Sequence, residues 1–433
     1  MRAYIALLAC GLAIAATESA VAVTTTTLTY QQGTDGYSGT VERRIGRAEA
    51  EQGDDPVDTV DASFYLDGGP TASDRKDLLI RFENTSIPSG AVILNASLGF
   101  TTSSVTSNNV SGGAFNVYSL SSPFGSDETF DSYTGGNGLD GGTAMILGSF
   151  DGMTTVETTS YARIDREMQL VANGGTSYGF GVRTDRSGDG WSYHTSVSSA
   201  FESRPTLNVT YTMDSGVELQ TQNPTVDIFP NGVNADTAGT LINGNSADQY
   251  FLDGEDLDNN SYDQPYLVQF GGLDLSEYDE IVQAELVLVT GFSNGASDSP
   301  GPFTVHQIMQ PWDENTTYES LDSDSDASSN ETQELIDGGF IAEEAQSIID
   351  MNDTEVLYID VQSIVENWRA GDANYGLYIA SGGTGNGWQI FTSGATEAGF
   401  QPELRVVGRQ VPEPGSIALA VLGIVGLLAA RRR

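Results

Sequence analysis

The sequence predicts an all-β protein, with two antiparallel β-sandwiches of jelly-roll-like type in tandem, and three observations lead there. Short apolar or alternating runs recur, such as "DLLIRF", "AVILNASLGF", "FNVYSL", "EVLYIDV", "YGLYIA" and "TLNVTYT", all rich in β-branched and aromatic residues. Between them lie clusters of Gly, Asn, Asp and Ser such as "TGGNGLDGG", and the 50 glycines suit many tight turns. The third observation is that the chain resembles itself. "FNVYSLSSPF" from Phe115 has a counterpart in "FTVHQIMQPW" from Phe303, 188 positions later, and the same offset relates "LLIRF" at Leu78 to "YLVQF" at Tyr266. Further along, "YGFGV" from Tyr178 matches "YGLYI" from Tyr375, and Trp191 matches Trp388, at an offset of 197. A constant offset interrupted by one insertion is the trace of a tandem duplication.

In chain order, residues 1–22 read as a signal peptide. Arg2 gives a positive start, residues 4–16 an apolar stretch, and Ala20-Val21-Ala22 a small-x-small cleavage site. A lipoprotein box at Leu7-Leu8-Ala9-Cys10 is the alternative reading. The first β-sandwich is expected over 23–213, a linker over 214–222, and the second sandwich over 223–408. Two short helices are expected, at 158–171 and at 337–349, the latter with Glu343 and Glu344 on its exposed face.

Composition bounds the function. With 60 acidic and 18 basic residues the chain carries a formal charge of −42, and Lys76 is its only lysine. Such a surface repels nucleic acid and anionic membrane, and suits salty surroundings or neutralisation by divalent cations. Cys10 is the only cysteine and lies in the segment expected to be removed, which excludes disulfides, thiol catalysis and cysteine-ligated zinc from the mature chain. His194 and His306 are the only imidazoles.

The chain ends on "VPEPGSIALAVLGIVGLLAARRR" over 411–433. Pro412, Glu413 and Pro414 precede an apolar run that would make a helix of about 22 Å, a marginal span for a hydrocarbon core of about 30 Å. Arg431, Arg432 and Arg433 would stay on the cytoplasmic side. This pattern resembles the PEP-CTERM sorting signal of Gram-negative bacteria that make extracellular polysaccharide. The resemblance implies an exported protein, recognised and cut by an exosortase, whose membrane contact is the C-terminal transmembrane helix before processing. An ordinary anchor helix is the alternative.

The body carries a second resemblance. "VQSIVENWRAGDANYGLYIA", with Val365, Trp368, Gly371, Asn374 and Gly376, follows "IVQAELVLV" and "FTVHQIMQPWDENTTY". This order is similar to the DNRLRE-type β-sandwich domain of secreted bacterial proteins, itself similar to certain carbohydrate-binding modules. The first copy departs from it at "REMQLVANGGTSYG", which has no tryptophan. The resemblance implies an extracellular polysaccharide as partner.

The candidate chemistry is binding, and no catalytic residue is assigned. Asp67 and Asp253 correspond, in "YLDGG" and "FLDGE", but Asp-Gly at a strand end is first a turn signal. Each histidine occupies a place where the other copy has an aromatic, which favours packing over general-base work. Trp191 with Tyr193, and Trp388, follow glycine-rich turns and are candidates to stack on pyranose rings, with a core tryptophan as the alternative. Exposure of Trp191 and Trp388 would favour binding; burial would favour a purely structural surface protein. Calcium is the candidate cofactor. Asp322, Asp324 and Asp326 alternate in "LDSDSDASSNETQE" without the glycine and final glutamate of an EF-hand, and Asp253, Glu255, Asp256 and Asp258 form a second acidic cluster. Acids are abundant enough that a glycosidase-like carboxylate pair also stays open as a third reading.

Overall fold

The computed structural model describes residues 22–46, 62–68, 76–104, 114–125, 128, 133, 139, 145–153, 155–184, 190–230, 241–243, 249–252, 265–291, 303–321, 331–348, 355–381 and 388–410. The fold is mostly β, with every strand pairing antiparallel. Among the described residues of 23–213 there are eleven strands: β1 Thr25–Gln31, β2 Thr40–Gly46, β3 Ser63–Leu66, β4 Lys76–Phe82, β5 Val92–Ser104, β6 Ala114–Ser119, β7 Ile146–Asp151, β8 Thr159–Arg163, β9 Phe180–Arg183, β10 Trp191–His194 and β11 Thr206–Thr212. One sheet runs β1-β11-β5-β10-β3 with β8 also on β5; the other runs β2-β4-β9-β6-β7. Both supply side chains to one core, Ile93, Leu98 and Phe100 from the first sheet meeting Leu78, Phe115 and Val182 from the second.

From Val217 onward the pairing order repeats. The strands are β12 Val217–Gln222, β13 Val226–Pro230, β14 Leu241–Asn243, β15 Gln249–Leu252, β16 Tyr266–Gln269, β17 Glu280–Val289, β18 Phe303–Ile308, β19 Ile341–Ile348, β20 Val356–Asp360, β21 Leu377–Ser381, β22 Trp388–Phe391 and β23 Glu403–Arg409. One sheet runs β12-β23-β17-β20, with β15-β22 as a separate pair, and the other runs β14-β13-β16-β21-β18-β19. Val217–Gln222 lies in the stretch expected as linker. It is a strand instead, because "VELQTQ" finds a full ladder against Leu404–Arg409.

Local hydrogen bonds repeat as well. Helix α1, Asp165–Ala172, starts where Ile164 N–H donates to Ala96 O; the helix Gln362–Ala370 starts where Val361 N–H donates to Ala284 O. Gln169 on α1 accepts the Ile93 N–H and Glu366 accepts the Ile281 N–H, each beside a β-bulge that leaves an amide without a strand partner. Gly179 and Gly376 sit at equivalent strand starts with φ of +105° and +93°. A Cβ at Gly376 would stand 2.2 Å from Val268 O, so only glycine fits.

The two expected helices are corrected. Thr159–Arg163 is a strand, its side chains alternating as it pairs with Ser97–Thr101, and only Asp165–Ala172 is helical. In the second case Glu331–Asp337 is helical, whereas Ile341–Ile348, with Glu343 and Glu344, is an edge strand on β18. Helix propensity in "IAEEAQSII" is overridden by the ladder that β18 offers. Trp368 packs into the second core at 5% exposure, among Ile364, Val365 and Val361. The matching place on α1 is Val171, a smaller side chain partly buried against the first core.

Candidate binding cleft

The aromatic candidates of the first half are core residues. Trp191 and Tyr193, two apart on β10, project to the same inward face and are both 0% exposed. The Trp191 ring centroid lies 5.4 Å from those of Phe115 and Phe150, and its indole N–H donates to Thr102 Oγ1 at 3.0 Å. A ring with no open face cannot stack on a sugar, so the binding assignment of Trp191 and Tyr193 is withdrawn. The turn preceding Trp191 pointed to the surface; the two-residue period of the strand carried the ring inside. Trp388 opens β22 with its backbone opposite Leu252.

Tyr193 belongs to a polar clasp. Its hydroxyl donates to Glu42 Oε1 at 3.1 Å, and Glu42 Oε2 accepts the Ser196 N–H at 2.6 Å. Burial pushes the Glu42 carboxyl above its ordinary pKa, against the opposing pull of the Ser196 and Tyr193 hydrogen bonds. The second half holds the same turn with Asp227, which accepts the Tyr266 hydroxyl and the Ser393 N–H, each at 2.9 Å. In both halves a buried acid fixes the backbone that follows the inner-edge strand. His306 is buried, its Nδ1 2.9 Å from Ala342 O, and burial lowers its pKa. His194 Nε2 lies 2.8 Å from Glu157 Oε1. Both histidines are held by neighbours within the fold.

The acidic clusters Asp253, Glu255, Asp256, Asp258 and Asp322, Asp324, Asp326 lie outside the described residues, as do residues 1–21 of the signal peptide expected over 1–22 and the sorting motif at Pro412–Pro414 and Arg431–Arg433. Among the described residues no cluster of three or more His, Cys, Asp or Glu side chains is placed to hold a metal ion.

Among the described residues, apolar and charged contacts come together where the two halves meet. Outer-face residues Val287, Val289 and Val356 bury against Tyr118 and Ile146, joined by Ala395 and Phe400. Backbone and side chain cross the seam together: Val356 N–H donates to Ser149 Oγ, and Tyr358 hydroxyl to Leu147 O, each at 2.8 Å. Beside this apolar patch, Arg163 Nε donates to Asp165 at 2.7 Å while its two terminal nitrogens fork onto Glu285. Its guanidinium also stands 4.0 Å from the Tyr358 ring centroid. Burial works against the Arg163 charge, but Asp165 and Glu285 raise its pKa above the ordinary arginine value.

Alongside this network opens a cleft of about 660 Å³. One wall is Ala91, Gln169, Leu170 and Asn173; the other is Glu218, Thr221, Glu403 and Arg405, with Arg166 between them. Arg166 spans the seam, its Nε 3.4 Å from Glu403 and its Nη1 3.0 Å from Gly399 O. Arg405 differs. It is 4% exposed, lines the cleft, and among the described residues its side chain has no hydrogen bond or ion pair. Burial raises the pKa of the nearby Asp165, and Arg163 and then Arg405 oppose that rise; the Asp165 oxygens are taken by Arg163 and the Ala96 N–H. None of these arginines was singled out from the sequence. The available signal is in "ELRVVGR", a cation set between the core residues Leu404 and Val406 in a chain poor in bases.

No curated protein matches the chain. Among solved structures, allantoicase from Saccharomyces cerevisiae is 7% identical over 77% of each chain with a TM-score of 0.16. The CBM32-1 and CBM32-2 domains of ZmpB from Clostridium perfringens are 6% identical over 89% of this chain and 99% of that one, at a TM-score of 0.20. The VP2 subviral particle of infectious bursal disease virus is 8% identical over 90% and 77%, at 0.14. Similarities at such TM-scores carry no argument about fold or ligand. The C-terminal match is of another kind: residues 410–433 fit the PEP-CTERM protein-sorting motif, which marks an exported protein and is a substrate signal for exosortase processing.

Proposed function

We propose that the chain is a non-enzymatic cell-surface or extracellular-matrix protein of a Gram-negative bacterium, which binds or is embedded in extracellular polysaccharide. The observation that carries this reading is the sorting motif at 410–433. In this reading the body is a tandem pair of DNRLRE-type β-sandwich domains, with the boundary just before Val217. The matched strand orders and the matched bonds of Ile164 with Ala96 and Val361 with Ala284 support it. The non-enzymatic part is supported by the work done by the buried acids Glu42 and Asp227, each engaged with backbone N–H groups of a turn. Calcium, held by acidic clusters such as Asp253 to Asp258, is the proposed cofactor.

A purely structural surface protein is the second reading, and the complete burial of Trp191 and Tyr193 favours it. The test is retardation of the chain, in the form cells release it, in native gels cast with neutral and acidic polysaccharides, with and without a calcium chelator. Retardation by a polymer supports binding, and its loss on chelation supports calcium. Unchanged mobility in every gel leaves the structural reading.

A further inference from the structure

We propose that the cleft at the seam of the two halves is a binding site for a carboxylate-bearing sugar, with Arg405 as the group that takes the carboxylate. The inference rests on the polysaccharide reading and narrows it to a place and a ligand charge.

Three features carry it. First, a guanidinium has five N–H donors, and that of Arg405, on a residue 4% exposed, has no acceptor among the described residues, which leaves its nitrogens to meet solvent. The solvent-facing side available to Arg405 is the cleft it lines. A planar carboxylate matches the fork of a guanidinium with two parallel hydrogen bonds. Second, the neighbouring charges are already engaged: Glu403 with Arg166, and Asp165 and Glu285 with Arg163. The cations Arg163, Arg166 and Arg405 are matched in number by Asp165, Glu285 and Glu403, so what Arg405 has to spare is hydrogen-bond donors and not net charge. Third, the rest of the lining suits a sugar ring. Leu170 is 44% exposed and offers an apolar surface for a ring face, while Asn173, Thr221 and Glu218 present donors and acceptors for hydroxyls. The volume, about 660 Å³, falls within the range of small-molecule sites, about 300–1,000 Å³. The chain's charge of −42 opposes a polyanion at long range, but this repulsion is screened beyond about 8 Å in physiological salt, whereas a contact at a buried guanidinium is screened much less.

The experiment is calorimetric titration of the released chain with an oligogalacturonate, a neutral oligogalactoside of the same length, and inorganic phosphate. The oligogalacturonate should bind more tightly than either of the others. Arg405→Gln should weaken its binding by about ten- to a hundredfold, as the loss of a hydrogen-bonded charge does. Thr221→Glu, at an exposed position on the rim, should weaken it as well, with no change in the unfolding midpoint; it serves if Arg405→Gln unfolds. Unchanged affinity for the oligogalacturonate in both variants would overturn the site. Binding of the neutral sugar alone would overturn the carboxylate assignment and leave the polysaccharide reading standing. Binding of no sugar would overturn that reading too, and phosphate held as tightly as the oligogalacturonate would reduce the cleft to a plain anion site.

Discussion

Arg163→Ala should cost more than any other single change at the seam, because one side chain serves both halves there. Its Nε holds Asp165, whose side chain is 0% exposed, and its terminal nitrogens hold Glu285 from the second half. Removing one partner of a buried pair costs about 3–5 kcal/mol, since the remaining charge stays buried and unmatched. Asp165 keeps the Ala96 N–H, which places the loss toward the lower end, about 3 kcal/mol. Glu285→Gln leaves the Arg163–Asp165 pair intact and removes one charged contact, a cost of about 1–2 kcal/mol. Because Glu285 acts through Arg163, the double variant should be little worse than Arg163→Ala alone, with an interaction energy of about 1–2 kcal/mol. Urea unfolding followed by far-ultraviolet circular dichroism measures all three. A loss below about 1 kcal/mol for Arg163→Ala, or strict additivity with Glu285→Gln, would refute the reasoning.

Other outcomes follow from the same packing. Glu42→Ala leaves the Tyr193 hydroxyl and the Ser196 N–H buried without their acceptor, and should cost about 2–6 kcal/mol in the same unfolding assay, counting about 1–3 for each group. Glu42 also makes stability depend on pH. Its folded pKa is raised, so its contribution is full below the ordinary glutamate value of about 4.3 and is lost as pH rises through the folded value. The stability of wild type minus that of Glu42→Gln should therefore fall on going from acid to neutral pH, and a difference that rises would contradict the assignment. Trp191→Ala should cost about 3–5 kcal/mol while polysaccharide retardation of the folded fraction is unchanged; lost retardation would return the ring to the binding surface. Alanine in place of Pro412, Glu413 and Pro414 should leave the chain in the membrane fraction and deplete the released form, as immunoblots of cell fractions would show.

What the sequence disclosed depended on whether the information was local. The strands were legible because alternation and β-branched content set them, and β17 shows how far that goes. Its Ile281, Ala284, Leu286 and Leu288 face the second core, while Val287 and Val289 bury on the other face against the first half. The run "LVLV" thus announced burial on both faces, though not what would cover the second one. The linker expected at 214–222 failed for a related reason: "VELQTQ" is a poor strand alone and becomes one against β23, nearly two hundred residues away. Trp191 was misread because a glycine-rich turn reports where the chain bends and is silent about the inward phase of the next strand. Arg405 lay below notice, since an arginine between core residues of a strand is informative only once its surroundings can be seen.

The central claim is that the exported chain lives on extracellular polysaccharide, and it is met most directly on intact cells. The measurement is the fraction of the chain that sediments with cells before and after the surface polymer is digested with glycosidases. The account predicts that the chain sediments with the cells, and that digestion releases it into the supernatant together with polymer fragments. A chain that stays with the cells after the polymer is gone, or is free in the medium before digestion, would contradict it.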